Sequence, residues 1–126
     1  MVAAALQQAT FPDSATVLGK AVTRAAERLG LSRAALARIL GVSAPTITRL
    51  HAGQYQLDEG RKEWEFALLL VRVFRSLDSI VGSEQSARDW LNSSNRGLGA
   101  RPVDLLQQTE GLVRVVHYLD ASRGRV

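Results

Sequence analysis

The chain has 126 residues, 46% of them hydrophobic and 22% charged, which excludes a disordered protein, and it lacks cysteine, which excludes disulfides and thiolate sites. Its longest uncharged apolar run, residues 66–71, is too short for a helical membrane span, so we expect a cytoplasmic protein without membrane contact. The net charge of +4 lies in residues 1–52, with six basic and two acidic residues, whereas residues 53–126 hold ten of each, so the N-terminal lobe is predicted to bind a polyanion.

Hydrophobic spacing predicts an all-α protein, because no alternating run is long enough for a strand. Residues 1–13 are expected to form a flexible leader. The first helix is predicted to begin after Asp13 or Ser14, either of which can serve as its N-cap, and to end at Gly30. Three basic residues spaced four apart are predicted to form a basic ridge on this helix: Lys20, Arg24 and Arg28.

Two short helices are predicted next, capped by Ser32 and Ser43 and separated by a turn at Gly41. Ala37, Gly41 and Ile47 have the spacing of a helix-turn-helix: a small residue at the crossing, a glycine in the turn, and a β-branched residue between the helices. Residues 14–53 are therefore predicted to form a helix-turn-helix DNA-binding domain. The exposed face of its second helix carries short polar groups and one arginine suited to major-groove recognition: Ser43, Ala44, Pro45, Thr46, Thr48 and Arg49.

Residues 54–82 are interpreted as a polar connector and a central hydrophobic helix from about Glu63 to Val81. That helix is apolar nearly all round, which is typical of a helix buried in the core or at a dimer interface. Glu63 and Glu65 are expected to lie on its solvated face, and Trp64 and Trp90 to be core or interface anchors.

Residues 83–126 are predicted to form a small helical C-terminal lobe. Ser83 caps its first helix, residues 92–101 form a turn-rich loop, and Pro102 begins a short helix. Thr109 is expected to cap the last helix, whose apolar stripe ends at Leu119. Residues 121–126 carry no core pattern and are expected to form a basic tail.

Residues 16–53 resemble the helix-turn-helix of Xre/Cro-like proteins. In that family many relatives carry Gln at the position of Arg33, where the resemblance implies a phosphate contact. From Ala87 onward the chain resembles the C-terminal toxin-binding domain of the Xre/MbcA/ParS antitoxins. This second resemblance rests on an ordered set of residues: Trp90, Leu91, Pro102, Asp104, Leu105, Leu106, Thr109, Gly111, Leu119 and Gly124.

The resemblance implies the antitoxin of a type II toxin–antitoxin module. The usual toxin of this family has a RES domain and degrades NAD⁺, and the antitoxin neutralises it by direct binding, with its C-terminal end over the toxin's active site. The N-terminal lobe binds the operon's own promoter DNA. The toxin-binding residues expected on this basis lie on the C-terminal lobe and its tail: Trp90, Arg101, Asp120, Ser122, Arg123, Gly124, Arg125 and Val126.

No catalytic constellation, cofactor motif or metal-ligand spacing is found. The two histidines are far apart, His51 at the end of the recognition helix and His117 off the apolar stripe of the last helix. An enzyme is therefore disfavoured. The main alternative is a stand-alone dimeric helix-turn-helix repressor without a toxin partner. A homodimer, forming a larger hetero-oligomer with the toxin, is expected because helix-turn-helix proteins usually read two half-sites.

Overall fold

The computed structural model describes residues 13–123 of the chain. Within that range it is all-α, as the sequence predicts, with seven helices and no strand. The predicted leader and residues 124–126 lie outside the described residues, except for Asp13. The helices are α1 (Ser14–Arg28), α2 (Arg33–Leu40), α3 (Ala44–His51), α4 (Lys62–Val81), α5 (Glu84–Asn92), α6 (Pro102–Leu105) and α7 (Thr109–Ser122).

Side-chain caps begin the first three helices where the sequence predicts them. The Asp13 carboxylate accepts a hydrogen bond from Thr16 N at 2.8 Å, and the Ser32 hydroxyl accepts one from Ala35 N at 3.0 Å. These contacts satisfy N–H groups that a helix leaves unpaired at its first turn. Gly41 has a φ of 73°, the left-handed conformation that the turn between α2 and α3 requires and that glycine adopts without strain.

Helix α4 is the centre of the fold. It packs against α1 and α2 on one side and against α5 and α7 on the other, and Leu70, Val73 and Leu77 on it are fully buried. The predicted burial on nearly all sides is only partly right, because Leu68 is 49% exposed and Ile80 is 41% exposed. One helix therefore supplies core side chains to both lobes.

The start of α4 departs from the prediction that Glu63 is solvated. Glu63 is only 5% exposed, and its Oε2 accepts hydrogen bonds from the Tyr55 hydroxyl at 2.6 Å and from Asp58 N at 2.9 Å. The hydrogen bond to Glu63, together with burial, raises the pKa of Tyr55 above its ordinary value. A buried carboxylate is tolerated here because the connector supplies two donors. Glu65 is exposed, as expected.

The last two helices meet at an unusually close approach. A Cβ added to Gly111, in the first turn of α7, would lie 2.1 Å from the carbonyl oxygen of Leu105 at the end of α6. Only glycine allows this crossing. The prediction that Thr109 caps α7 is wrong: Gln108 is the N-cap, without a side-chain hydrogen bond, and Thr109 is the first helical residue. The helix also continues to Ser122, past the predicted start of the tail at residue 121.

No helix in residues 13–123 combines the length and hydropathy needed to cross a membrane. The same residues contain no group of three or more histidine or acidic side chains placed to hold a metal ion.

Candidate functional site

The recognition helix α3 presents the polar face that the sequence predicts. Ser43, Ala44, Pro45, Thr48 and Arg49 are exposed, and Thr46 is half-buried. Side-chain contacts order this face, because the Ser43 and Thr46 hydroxyls lie 2.8 Å apart and Arg49 Nη2 donates to Thr46 Oγ1 at 3.3 Å. A long cation held beside short hydroxyl groups can fork to a base edge or pair with a phosphate.

Buried side chains fix how this face is turned outward. Ile47, on the opposite side of α3, has no exposed surface and packs in the same core cluster as Leu36 and Leu40 of α2. Arg33 is exposed in the first turn of α2. Because the helix-turn-helix is a packed unit, the backbone positions from which the exposed side chains of α2 and α3 project are fixed.

The three residues of the predicted basic ridge lie on α1 but differ in their contacts. Lys20 and Arg24 are exposed on α1, but Arg28 turns toward the C-terminal lobe. Its Nε lies 4.0 Å from Glu84 Oε2, and its guanidinium carbon lies 5.9 Å from the centre of the Phe74 ring. A cation engaged by a carboxylate and an aromatic face is less available to DNA. The sequence does not reveal this, because Arg28 and Glu84 are 56 positions apart.

Further contacts tie the lobes together. Arg88 on α5 donates to the backbone oxygens of Arg28 at 3.0 Å and Glu27 at 3.3 Å, at the C-terminal end of α1. Arg38 on α2 donates to Gln107 Oε1 at 2.5 Å. The carbonyl groups at a helix C-terminus carry partial negative charge, so Arg88 is well placed to satisfy them.

The expected toxin-binding residues of the C-terminal lobe fall into separate groups. Trp90 on α5 stacks with Tyr118 on α7, with ring centres 6.2 Å apart. Arg101 makes two hydrogen bonds of 3.0 Å to the Asp104 carboxylate, at the start of α6. The hydrogen bonds and charge of Asp104 raise the pKa of Arg101 above its ordinary value.

The residues around the end of α7 contact α4 or their own helix. Asp120 is paired with Arg72, and Arg123 Nη1 donates to Ser76 Oγ at 3.5 Å. Ser122 donates to the backbone oxygen of Tyr118 at 2.9 Å. The three remaining expected residues, Gly124, Arg125 and Val126, lie outside the described residues. No spacing in the sequence links Arg72 to Asp120 or Tyr118 to Trp90.

Both halves of the chain match family models. Residues 9–72 match the antitoxin Xre-like helix-turn-helix domain, and residues 76–125 match the antitoxin Xre/MbcA/ParS C-terminal toxin-binding domain. The boundary between the two matches falls inside α4. The two domains therefore share this helix.

Among solved structures, the chain is similar to one in the crystal structure of the M. tuberculosis MbcT–MbcA toxin–antitoxin complex. The identity is 31%, the TM-score is 0.64, and the match covers 83% of this chain and 92% of the other. No curated protein matches the sequence. Two adjoining family matches and a structural neighbour from a toxin–antitoxin complex agree: the chain belongs to the Xre/MbcA/ParS antitoxins, with an Xre-like helix-turn-helix domain followed by a toxin-binding domain.

Proposed function

We propose that this antitoxin neutralises a RES-domain, NAD⁺-degrading toxin by binding it directly and covering its active site, and that it represses its own operon by binding promoter DNA. The observation that carries the proposal is the order of its two domains, an antitoxin helix-turn-helix followed by a toxin-binding domain. It acts by binding and not by catalysis, in the cytoplasm, where its operator lies.

The DNA-binding half is supported by the recognition helix. Ser43, Thr46, Thr48 and Arg49 offer hydrogen-bonding groups on one side of a short helix whose other side is fixed by Ile47. In our proposal this face enters the major groove, and Arg33 at the start of α2 contacts the backbone.

The proposed homodimer is supported by an apolar groove of about 430 Å³ between α1 and α4. Val17 and Leu68, which line it, are 51% and 49% exposed, and the half-buried Trp64 lies beside them. Exposed apolar surface of this kind is typical of protein interfaces. A dimer would present two recognition helices to two half-sites of the operator.

Arg49→Ala should weaken binding to the promoter fragment by about 1–3 kcal/mol, because a guanidinium forked to a base contributes about that much discrimination. The matched control is Lys20→Ala, on the ridge of α1. It should reduce the salt dependence of binding by about one unit of slope at most and leave sequence preference unchanged. Titration of a labelled promoter fragment at several salt concentrations measures both effects. If the Arg49→Ala protein binds the promoter with wild-type affinity and salt dependence, Arg49 does not contribute to the DNA interface.

The alternative, a stand-alone dimeric repressor, makes a different prediction about partners. If the chain is an antitoxin, it should co-purify with the RES-domain protein encoded in the adjacent reading frame. Arg49→Ala should leave that complex intact, since the two activities lie on different lobes. Absence of an adjacent toxin gene, together with operator binding, would favour the stand-alone repressor.

A further inference from the structure

The stacked pair Trp90 and Tyr118 is the main aromatic feature of the C-terminal lobe. Each ring is half-buried, packing against the core on one side and reaching the surface on the other. Their planes are 28° apart and their centres are 6.2 Å apart, the geometry of an offset stack. Two aromatic side chains from different helices thus form one continuous surface.

The polar ends of both rings have no hydrogen-bond partner among the described residues. Within residues 13–123 neither the Trp90 Nε1–H nor the Tyr118 hydroxyl makes a hydrogen bond. Among those residues no buried side-chain nitrogen or oxygen lacks a partner. Buried tryptophan and tyrosine usually find a partner for these groups, and protein interfaces are enriched in both residues.

A rigid loop borders the pair. The Asn95 carboxamide accepts from Leu98 N at 2.9 Å, Leu98 is buried, and Arg114 Nη2 donates to Leu98 O at 2.9 Å. A Cβ added to Gly97 would lie 2.8 Å from Cε1 of Tyr118, so this ring rests directly on the loop. Arg96, the neighbour of Gly97 in this loop, is exposed and adds a cation to the loop. The surface is therefore preorganised, with an aromatic centre and a polar edge.

We infer that the Trp90–Tyr118 pair is the docking centre for the toxin and supplies much of the binding affinity, separately from the tail that blocks the active site. The occupant is the toxin because the pair lies in the domain whose family is toxin-binding. The toxin surface that fits it presents an apolar side chain flanked by acceptor oxygens, for the indole N–H, the phenol and Arg96. This inference rests on the proposed function.

The test measures the affinity of the full 126-residue chain for a catalytically inactive form of the adjacent RES-domain toxin. Tyr118→Phe removes only the hydroxyl and should raise the Kd about 3- to 10-fold, and Trp90→Phe should raise it about 10-fold or more. Gly97→Ala should also raise the Kd, because it displaces the Tyr118 ring without changing it. His117→Ala, an exposed neighbour on α7, is the control and should leave the Kd unchanged.

Circular dichroism and promoter binding check that each variant is folded. If Trp90→Phe unfolds the lobe, the Kd of the Tyr118→Phe variant still tests the inference, because this substitution keeps the ring and its packing. Wild-type Kd values for folded Tyr118→Phe and Gly97→Ala proteins would overturn the inference while leaving the antitoxin function standing. Failure of the wild-type chain to bind the toxin at all would overturn both.

Discussion

Gly111→Ala should lower the free energy of unfolding by about 1–3 kcal/mol, although alanine is the better helix former. The added Cβ would lie 2.1 Å from the carbonyl oxygen of Leu105, a backbone atom that can move only if α6 and α7 separate. The cost of that separation should exceed the gain of about 1 kcal/mol in helix propensity.

Gly19→Ala is the matched control, because Gly19 also lies inside a helix and is buried. Its added Cβ would meet Leu50 Cδ1 at 3.5 Å, an ordinary contact, so the substitution should stabilise the protein by about 0.5–1 kcal/mol. Urea unfolding followed by circular dichroism measures both variants. If both substitutions changed the free energy of unfolding by the same amount and in the same direction, the close approach of α6 and α7 would not limit stability.

Removal of residues 124–126 should abolish most inhibition of the toxin while leaving the fold and promoter binding unchanged. The cut is placed after Arg123 because that residue contacts Ser76 and because Ser122 still belongs to α7. A cut after Asp120, at the predicted start of the tail, would also remove helical residues and confuse folding with inhibition. NAD⁺ consumption by the toxin, measured with full-length and truncated antitoxin, gives the result.

Replacement of residues 124–126 by three serines keeps the chain length and tests whether the tail acts by its chemistry or by its bulk. If the serine variant inhibits the toxin as the full-length chain does, the tail acts by its bulk and not by the chemistry of its side chains. Full inhibition by the truncated chain would instead assign inhibition to the lobe surface between Trp90 and Leu106. Toxin affinity measured in parallel should stay near the wild-type value if the Trp90–Tyr118 pair supplies it.

Local signals predicted much of the fold correctly. Asp13, Ser32 and Ser43 cap helices because their side chains bond to backbone groups three residues away, an interaction that spacing alone reveals. Gly41 was identifiable as the residue of a tight turn because it lies between two capped helices. The recognition helix was therefore predicted with its correct bounds, although its contacts with DNA remain predictions.

Features that depend on distant residues were not predictable in this way. Glu63 looked solvated because its donors, Tyr55 and Asp58, lie in a connector of unknown path. Arg28 was assigned to the basic ridge of α1 because nothing in the sequence links it to its partner, Glu84, in the other lobe. The Trp90–Tyr118 stack joins two helices across a loop, so only the folded chain brings it together.

The most direct test of the proposed antitoxin function is the NAD⁺ content of cells that produce the proposed RES-domain toxin partner with and without this chain. We predict that NAD⁺ falls and growth stops when the toxin is produced alone, and that both are maintained when the wild-type antitoxin is co-produced. NAD⁺ loss at the same rate in the presence of soluble, folded antitoxin would contradict neutralisation by this protein.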